Sequence, residues 1–178
     1  MIKKILTLVL LAGVFTANAQ AYKGKGDAKA QVAASFQSGG TGIHGSGDFG
    51  LGENFSMGFT LTYLLDAEGE IGYDYNNPFF PVLTENNPDF YEKFDAKLRF
   101  NANLGSVIGL PSSMDLYPGL NIGIHNFGTH VGFRYFFTDG FGVFSEAGIP
   151  ITKYEGNTYG NENYHNQFVF NLGVSFNL

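Results

Sequence analysis

The 178-residue sequence contains no cysteine. That excludes disulfides, thiolate zinc sites, a cysteine nucleophile and the acylated cysteine of a lipoprotein. Charge is scarce as well. Only 15% of residues are Asp, Glu, Lys or Arg, against a usual ~25%. The 10 Lys and Arg are outnumbered by 16 Asp and Glu, a formal net charge of −6. Phosphate contacts need clustered cations, so nucleic acid is excluded as a partner on charge. No stretch approaches the roughly eighteen consecutive apolar residues of a membrane helix. What is abundant is glycine and aromatics: 25 Gly, 19 Phe and 10 Tyr. Disordered chains are poor in aromatics and rich in charge, so this chain folds, and its length suits one domain.

Residues 1–19 read as an export signal. Lys3 and Lys4 form a positive start, Ile5 to Phe15 an apolar run, and Ala17-Asn18-Ala19 a small-x-small cleavage pattern. The apolar run is too short to span a bilayer. Cleavage would begin the mature chain at Gln20 and remove two lysines and no acid. Residues 20–27 are expected to form a short periplasmic lead-in, and residues 28–178 the folded body.

From residue 28 onward the pattern has period two. Phe168, Phe170, Leu172, Val174, Phe176 and Leu178 alternate with small or polar residues. Phe94, Ala96, Leu98, Phe100, Ala102 and Leu104 likewise alternate with Asp95, Lys97, Arg99, Asn101 and Asn103. Alternation of this kind is the signature of a strand with two unlike faces. Eight such strands are expected, at about 28–37, 42–51, 55–65, 93–104, 116–124, 129–137, 141–151 and 166–178. Pro118 has no N–H to give a ladder and is expected at a bulge near the start of its strand.

Ten residues at ~3.3 Å each, tilted by ~40°, rise roughly 25 Å, the height of a membrane barrel's apolar band. The expected fold is an all-β, single eight-stranded antiparallel up-and-down transmembrane barrel. The turns at Gly52–Asn54 and Thr138–Gly140 are tight. The connections 66–92 and 152–165 are long and would lie on the outer side, with the turns on the periplasmic side.

A soluble lipocalin-like barrel shares the period but points its apolar face inward. The membrane version is favoured because the polar face carries whole charges of both signs. These are Lys29, Asp48, Asp95, Lys97, Arg99, Arg134 and Glu146. An eight-stranded lumen is filled by side chains, so these charges are expected to form a paired, rigidifying network. Aromatics at strand ends suggest interface girdles: Phe136, Phe137, Phe141 and Phe176 on the inner side, and Tyr63, Phe90, Tyr91 and Tyr154 on the outer.

The ending Phe170–Leu178, with alternating apolar residues and an aromatic third from the end, resembles the C-terminal signal of bacterial outer-membrane barrels. Residues 28–178 as a whole resemble the small eight-stranded outer-membrane barrels of Gram-negative bacteria, the OmpX and OmpA-barrel type. The resemblance implies a place in the outer membrane among its lipids. It also implies passage through periplasmic chaperones and the barrel-assembly machinery, and a monomer. Leu178 stands where that signal usually ends in Phe.

Chemistry-bearing patterns are few. His44, Ser46 and Asp48 share one strand face, the ingredients of acyl transfer. Residues two apart on a strand lie ~6.6 Å apart, however, and the alternation turns this trio into the lumen. The segment 66–92 holds seven acids and no base. Asp66, Glu68, Glu70 and Asp74, with Phe79 and Phe80, are its candidate interaction residues. The EF-hand template fails there, because Ile71 replaces the required Gly and Asn77 the bidentate Glu. His125, His130 and His165 make no metal motif, and no catalytic residue, cofactor or metal is expected. The expected role is non-enzymatic: a rigid anchor displaying acidic, aromatic loops. The rivals are a narrow porin-like channel for small or apolar solutes and, less favoured, a barrel-borne lipid acyl hydrolase.

Overall fold

The computed structural model describes residues 19–74, 82–154 and 164–178. In chain order its strands are β1 (Ala28–Gln37), β2 (Gly40–Gly50), β3 (Phe55–Ala67), β4 (Glu70–Asp74), β5 (Val82–Asn86), β6 (Phe94–Ala102), β7 (Met114–Gly123), β8 (Asn126–Phe136), β9 (Phe141–Lys153) and β10 (Val169–Asn177). A single helical turn, α1 (Phe90–Lys93), precedes β6 and is capped by Asp89, whose carboxylate accepts from the Glu92 N–H at 2.9 Å. Eight of the strands close into an antiparallel barrel in the ring order β1-β10-β9-β8-β7-β6-β3-β2. The ring is sealed by β1 on β10, from Lys29 opposite Asn177 to Gln37 opposite Val169. Closure leaves no barrel strand with an unpaired edge.

The alternation has the sense of a barrel turned inside out. On β6, Leu98 and Phe100 are 63% and 46% exposed, while Arg99 between them is 2% exposed. On β1 and β2, Val32, Phe36, Ile43 and Phe49 point outward, and Lys29, Gln31, His44 and Asp48 are buried. Apolar side chains therefore cover the outside, and polar and charged ones fill the inside. This is the reverse of a soluble lipocalin-like barrel.

Several details depart from the sequence reading. The connection 66–92 is not all loop, since β4 and β5 pair as a separate two-stranded sheet. Pro118 makes no bulge and lies in β7 directly opposite Val131. The reason lies on its other side. Across β6 and β7, hydrogen bonds run from Ile124 N–H to Ala96 and from Leu104 N–H to Leu116. The same spacing sets Pro118 opposite Ala102, just past the last regular pair, Asn101 and Gly119. One missing donor is accommodated where that ladder pauses. The register shifts fall instead at Thr41/Gly42 and Phe127/Gly128.

The two ends of the barrel differ. One, the turn end, carries connections 51–54, 103–113 and 137–140 and the N-terminal segment. The other, the loop end, carries the long connections 68–93 and 154–168. The loop end also holds the two shortest connections, 38–39 and 124–125. Gly39 adopts φ +70° in the first, a conformation that favours glycine.

Candidate functional site

The lumen is where the chain concentrates its chemistry. Five carboxylates, Asp27, Asp48, Asp95, Asp115 and Glu146, and four cations, Lys29, Lys97, Arg99 and Arg134, face it. They form three layers. At the centre, Arg99 Nε donates to Asp48 Oδ1 at 2.7 Å, and its Nη2 donates to Asp48 Oδ2. Arg99 Nη1 donates to Glu146 Oε2 at 2.8 Å. Arg134 lies beside the same Asp48 at 3.8 Å and donates to Asp115 at 3.2 Å and to Asn103 at 2.7 Å. Tyr117 packs between the two guanidinium groups, whose carbons stand 4.1 Å (Arg134) and 5.8 Å (Arg99) from its ring centre. Charges this deep are tolerated only when paired and hydrogen-bonded, and Arg99 meets that condition with four acceptor contacts, the fourth to Gln31 Oε1 at 3.1 Å.

Toward the turn end, Lys29 pairs with Asp27 at 2.7 Å and donates to Asn177 at 2.6 Å. Its ammonium stands 5.1 Å from the ring centre of Phe136. Phe136 is therefore a lumen residue, 1% exposed and packed on Ala21, and not part of the aromatic girdle. Strand parity explains this, because 136 has the same phase as 130, 132 and 134. The other three inner-girdle aromatics pack on one another: Phe137 stacks on Phe141 at 6.2 Å, and Phe141 meets Phe176 in a tilted pair at 5.7 Å between ring centres. The lead-in chain docks here, with Ala21 N–H on Ser112 at 2.7 Å and Tyr22 Oη donating to Phe55 O at 2.6 Å. Burial lifts the Tyr22 phenol to about 12, with Asp27 adding to the effect.

Toward the loop end, Lys97 pairs with Asp95 at 3.2 Å and donates to Asn126 at 2.9 Å. The last residues of the second long connection cover this end. Tyr164 Oη donates to Glu68 O. The His165 N–H donates to Gln37 Oε1 at 3.1 Å, and Gln167 Nε2 donates to Ser38 O at 2.7 Å. The His165 ring stacks on His125 at 5.4 Å and stands 4.0 Å from Asp95. Its φ of +60° is left-handed, which for a non-glycine residue persists only under local constraint.

Burial lowers the His165 pKa to about 4 from the ordinary 6.5; Asp95 opposes the shift, and His125 and Lys97 reinforce it. Because the folded value lies below the unfolded one, the neutral ring's contribution to the closed end is complete above about 6.5. It is lost as pH falls toward 4. Imidazole NMR of the folded chain should show His165 neutral at pH 6 and titrating near 4. Titration near 6.5 would mean that the ring is not packed over the lumen.

The candidate hydrolytic trio is not assembled. His44 Nδ1 contacts Thr62 Oγ1 at 2.9 Å, Ser46 Oγ donates to Gln31 at 2.8 Å, and Asp48 is engaged by Arg99. Each member is bonded to a different strand: His44 to β3, Ser46 to β1 and Asp48 to β6. Among the loop candidates, Asp66 is the last but one residue of β3 and Glu68 follows that strand; Glu70 and Asp74 bound β4. Phe79 and Phe80 lie outside the described residues, as does the export signal up to residue 18. The sequence reading missed Asp27, Gln31, Asp115 and Tyr117. Asp115 and Tyr117 share the parity of the lumen residues Asn101 and Asn103 across the β6–β7 ladder, a signal that was available once the register around Pro118 was known.

Among the described residues, one cavity lies within the lumen and another between the N-terminal segment and the 103–113 connection. One of about 50 Å³ lies in the loop half, and one of about 170 Å³ lies at the turn end beside Tyr22 and Asp115. They share no lining residue, and the central charges and Tyr117 lie between them.

A closed antiparallel eight-stranded barrel with an apolar outside and a charge-paired lumen defines the class of protein. Within it, the chain belongs to the family of unknown function DUF6646, whose model matches residues 12–178. Its fold is similar to the crystal structure of the N-terminal β-barrel domain of Pseudomonas aeruginosa OprF, at 11% identity and a TM-score of 0.52, over 88% of this chain and 100% of that one. The designed barrel TMB2.3, known by solution NMR, also aligns, with 14% identity and a TM-score of 0.41 over 88% of this chain and 97% of that one. No curated protein matches the sequence.

Proposed function

We propose that the protein is an integral outer-membrane barrel, exported by residues 1–19, that serves without catalysis as a rigid anchor for its long outer connections. The observation that carries this reading is the exposed apolar belt. Leu98, Ile122, Phe59, Val131 and Leu172 are each 44–63% exposed around one closed ring, while Asp48, Asp95, Lys97, Arg99, Arg134 and Glu146 face inward. In water such a belt is an aggregation hazard; in lipid it is the stable arrangement. The similarity to an outer-membrane barrel domain supports the same reading. The charge-filled centre favours an anchor over the porin-like channel. The separate engagement of His44, Ser46 and Asp48 argues against a lipid acyl hydrolase.

The test is fractionation followed by gel electrophoresis with and without boiling, on wild type and Leu98→Arg. Wild type is expected in the outer membrane with a heat-dependent shift in migration. An arginine in mid-belt costs about 2–4 kcal/mol in lipid, so Leu98→Arg should reduce the folded, membrane-bound fraction. Recovery of both proteins as soluble periplasmic species without detergent would refute the membrane assignment.

A further inference from the structure

The N-terminal segment crosses the mouth of the turn end. Between Gln20 and Tyr22 it touches three sides of that mouth. The Ala21 N–H donates to Ser112 O in the 103–113 connection at 2.7 Å. Tyr22 Oη lies 2.6 Å from Phe55 O and 2.9 Å from Gly52 O at the 51–54 turn, its one proton shared between them. On the third side, Asn177 Nδ2 donates to Gln20 O at 3.3 Å and also to Asp139 O in the 137–140 turn. All of these contacts lie at or after Gln20, so a chain that begins there keeps them.

Two glycines bring the segment to this place. Gly24 and Gly26 have φ of +86° and +85°, a conformation that favours glycine. The Gly26 N–H donates to Gly50 O at 2.9 Å, and the Asp27 N–H donates to Gly24 O at 3.1 Å. The chain ahead of β1 therefore folds back over the barrel end.

There it roofs the turn-end cavity. Gln20 and Tyr22 line the roughly 170 Å³ on one side, and Asn103, Ser106 and Asp115 line it on the other. Asn103 and Asp115 are each 1% exposed, and lifting the segment would turn them to water. The hold on the segment is slight. Between residues 20 and 26 only Ala21 is buried, its methyl grouped with Phe136. One methyl and a few hydrogen bonds resist opening far less than eight ladders do. Segments held by so few contacts open locally while the rest of the fold stays intact.

We propose that residues 20–26 are a releasable strap. Seated, it seals the turn end. Released, it admits water and small solutes to the cavity and to the polar wall around Asn103 and Asp115, with the barrel ladders intact. The central Arg99–Asp48 layer still bars passage to the loop half.

The chain has no cysteine, so one introduced thiol reports alone. Ser56→Cys is nearly isosteric, and its site is 1% exposed and bonded to the cavity-lining Asn103 at 3.1 Å. Thr62→Cys marks the loop half. Each is treated with methanethiosulfonate ethylammonium on the folded chain in detergent micelles at pH 7. Ser56→Cys should react slowly while the strap is native. A Cβ at position 24 would meet nothing closer than 3.7 Å, so Gly24→Ala strains the backbone without a clash. It should speed the Ser56→Cys reaction about 5- to 30-fold, the shift set by the cost of a left-handed backbone. Ala21→Glu puts a carboxylate against Phe136 and should speed it by about tenfold or more. Thr62→Cys should keep its rate in both backgrounds. Circular dichroism checks that each variant retains its strands; should Ala21→Glu fail to fold, Gly24→Ala decides. A Ser56→Cys rate unchanged by Gly24→Ala, a rate already fast with the native strap, or an equal acceleration at Thr62→Cys would each overturn the proposal.

Discussion

Replacing Arg99 by methionine is expected to destabilise the barrel by about 3–5 kcal/mol. The guanidinium bridges Asp48 and Glu146, and methionine fills part of its volume without any donor. Asp48 would keep only Asn101 at 3.2 Å and Arg134 at 3.8 Å, and Glu146 would lose its cation. Arg99→Lys should fall between the two, because a point charge cannot hold both carboxylates in the planar fork that arginine provides. The control is Lys97→Met. That ammonium has a side chain 18% exposed and one carboxylate partner, so its loss should cost clearly less. The measurement is the urea midpoint of the SDS-resistant band. The triple variant Arg99→Met, Asp48→Asn, Glu146→Gln should recover much of the loss, since most of the penalty comes from the orphaned charges. An Arg99→Met barrel as stable as wild type would show that the central layer is not the structural element described here.

The second large effect is steric. Tyr117 and Gly132 are direct partners across β7 and β8, and a Cβ at 132 would collide with the Cζ, Cε2 and Oη atoms of the fully buried tyrosine. An aromatic ring laid over a strand glycine is a recurrent device in curved sheets. Gly132→Leu should cost about 3 kcal/mol or more. The overpacking is itself worth about 1–3 kcal/mol, and displacing the ring also loses its stacking on Arg134, worth up to about 2 kcal/mol. Tyr117→Ala opens a cavity and should cost about 3–5 kcal/mol. The double variant should be less damaged than the sum by at least about 1 kcal/mol, because the new leucine occupies the space that the ring vacates. Strict additivity in denaturant melts would show that the two residues do not share that space.

Much of the fold is legible in the chain. The first strand, 28–37, matches its observed limits, and the tight turns at 51–54 and 137–140 fall where Gly, Asn and Asp predict them. Strand limits elsewhere move by up to about three residues, because the pattern fades where an outward residue meets a loop. The β4–β5 pair was not legible, since five-residue strands within an acidic connection carry too little alternation to separate from loop. Lumen residues such as Lys29, Asp48, Arg99, Arg134 and Glu146 could be assigned to one face by parity alone. Phe136 and Tyr117 obey the same parity. Their chemical type misleads, because an aromatic near a strand end reads as a girdle residue until the phase is followed to its end.

By itself, the sequence determines the class. A period of two, repeated eight times with whole charges on one face, has one economical solution: a closed barrel with its polar side inward. It cannot say which charges meet. Asp48 and Arg99 are 51 residues apart, and Arg99 and Glu146 are 47 apart. Their meeting depends on the register of all eight ladders at once, because ring closure fixes every strand's stagger together. The tertiary structure alone decides that Asp48 serves two arginines, and that Phe136 closes the turn end and His165 the loop end.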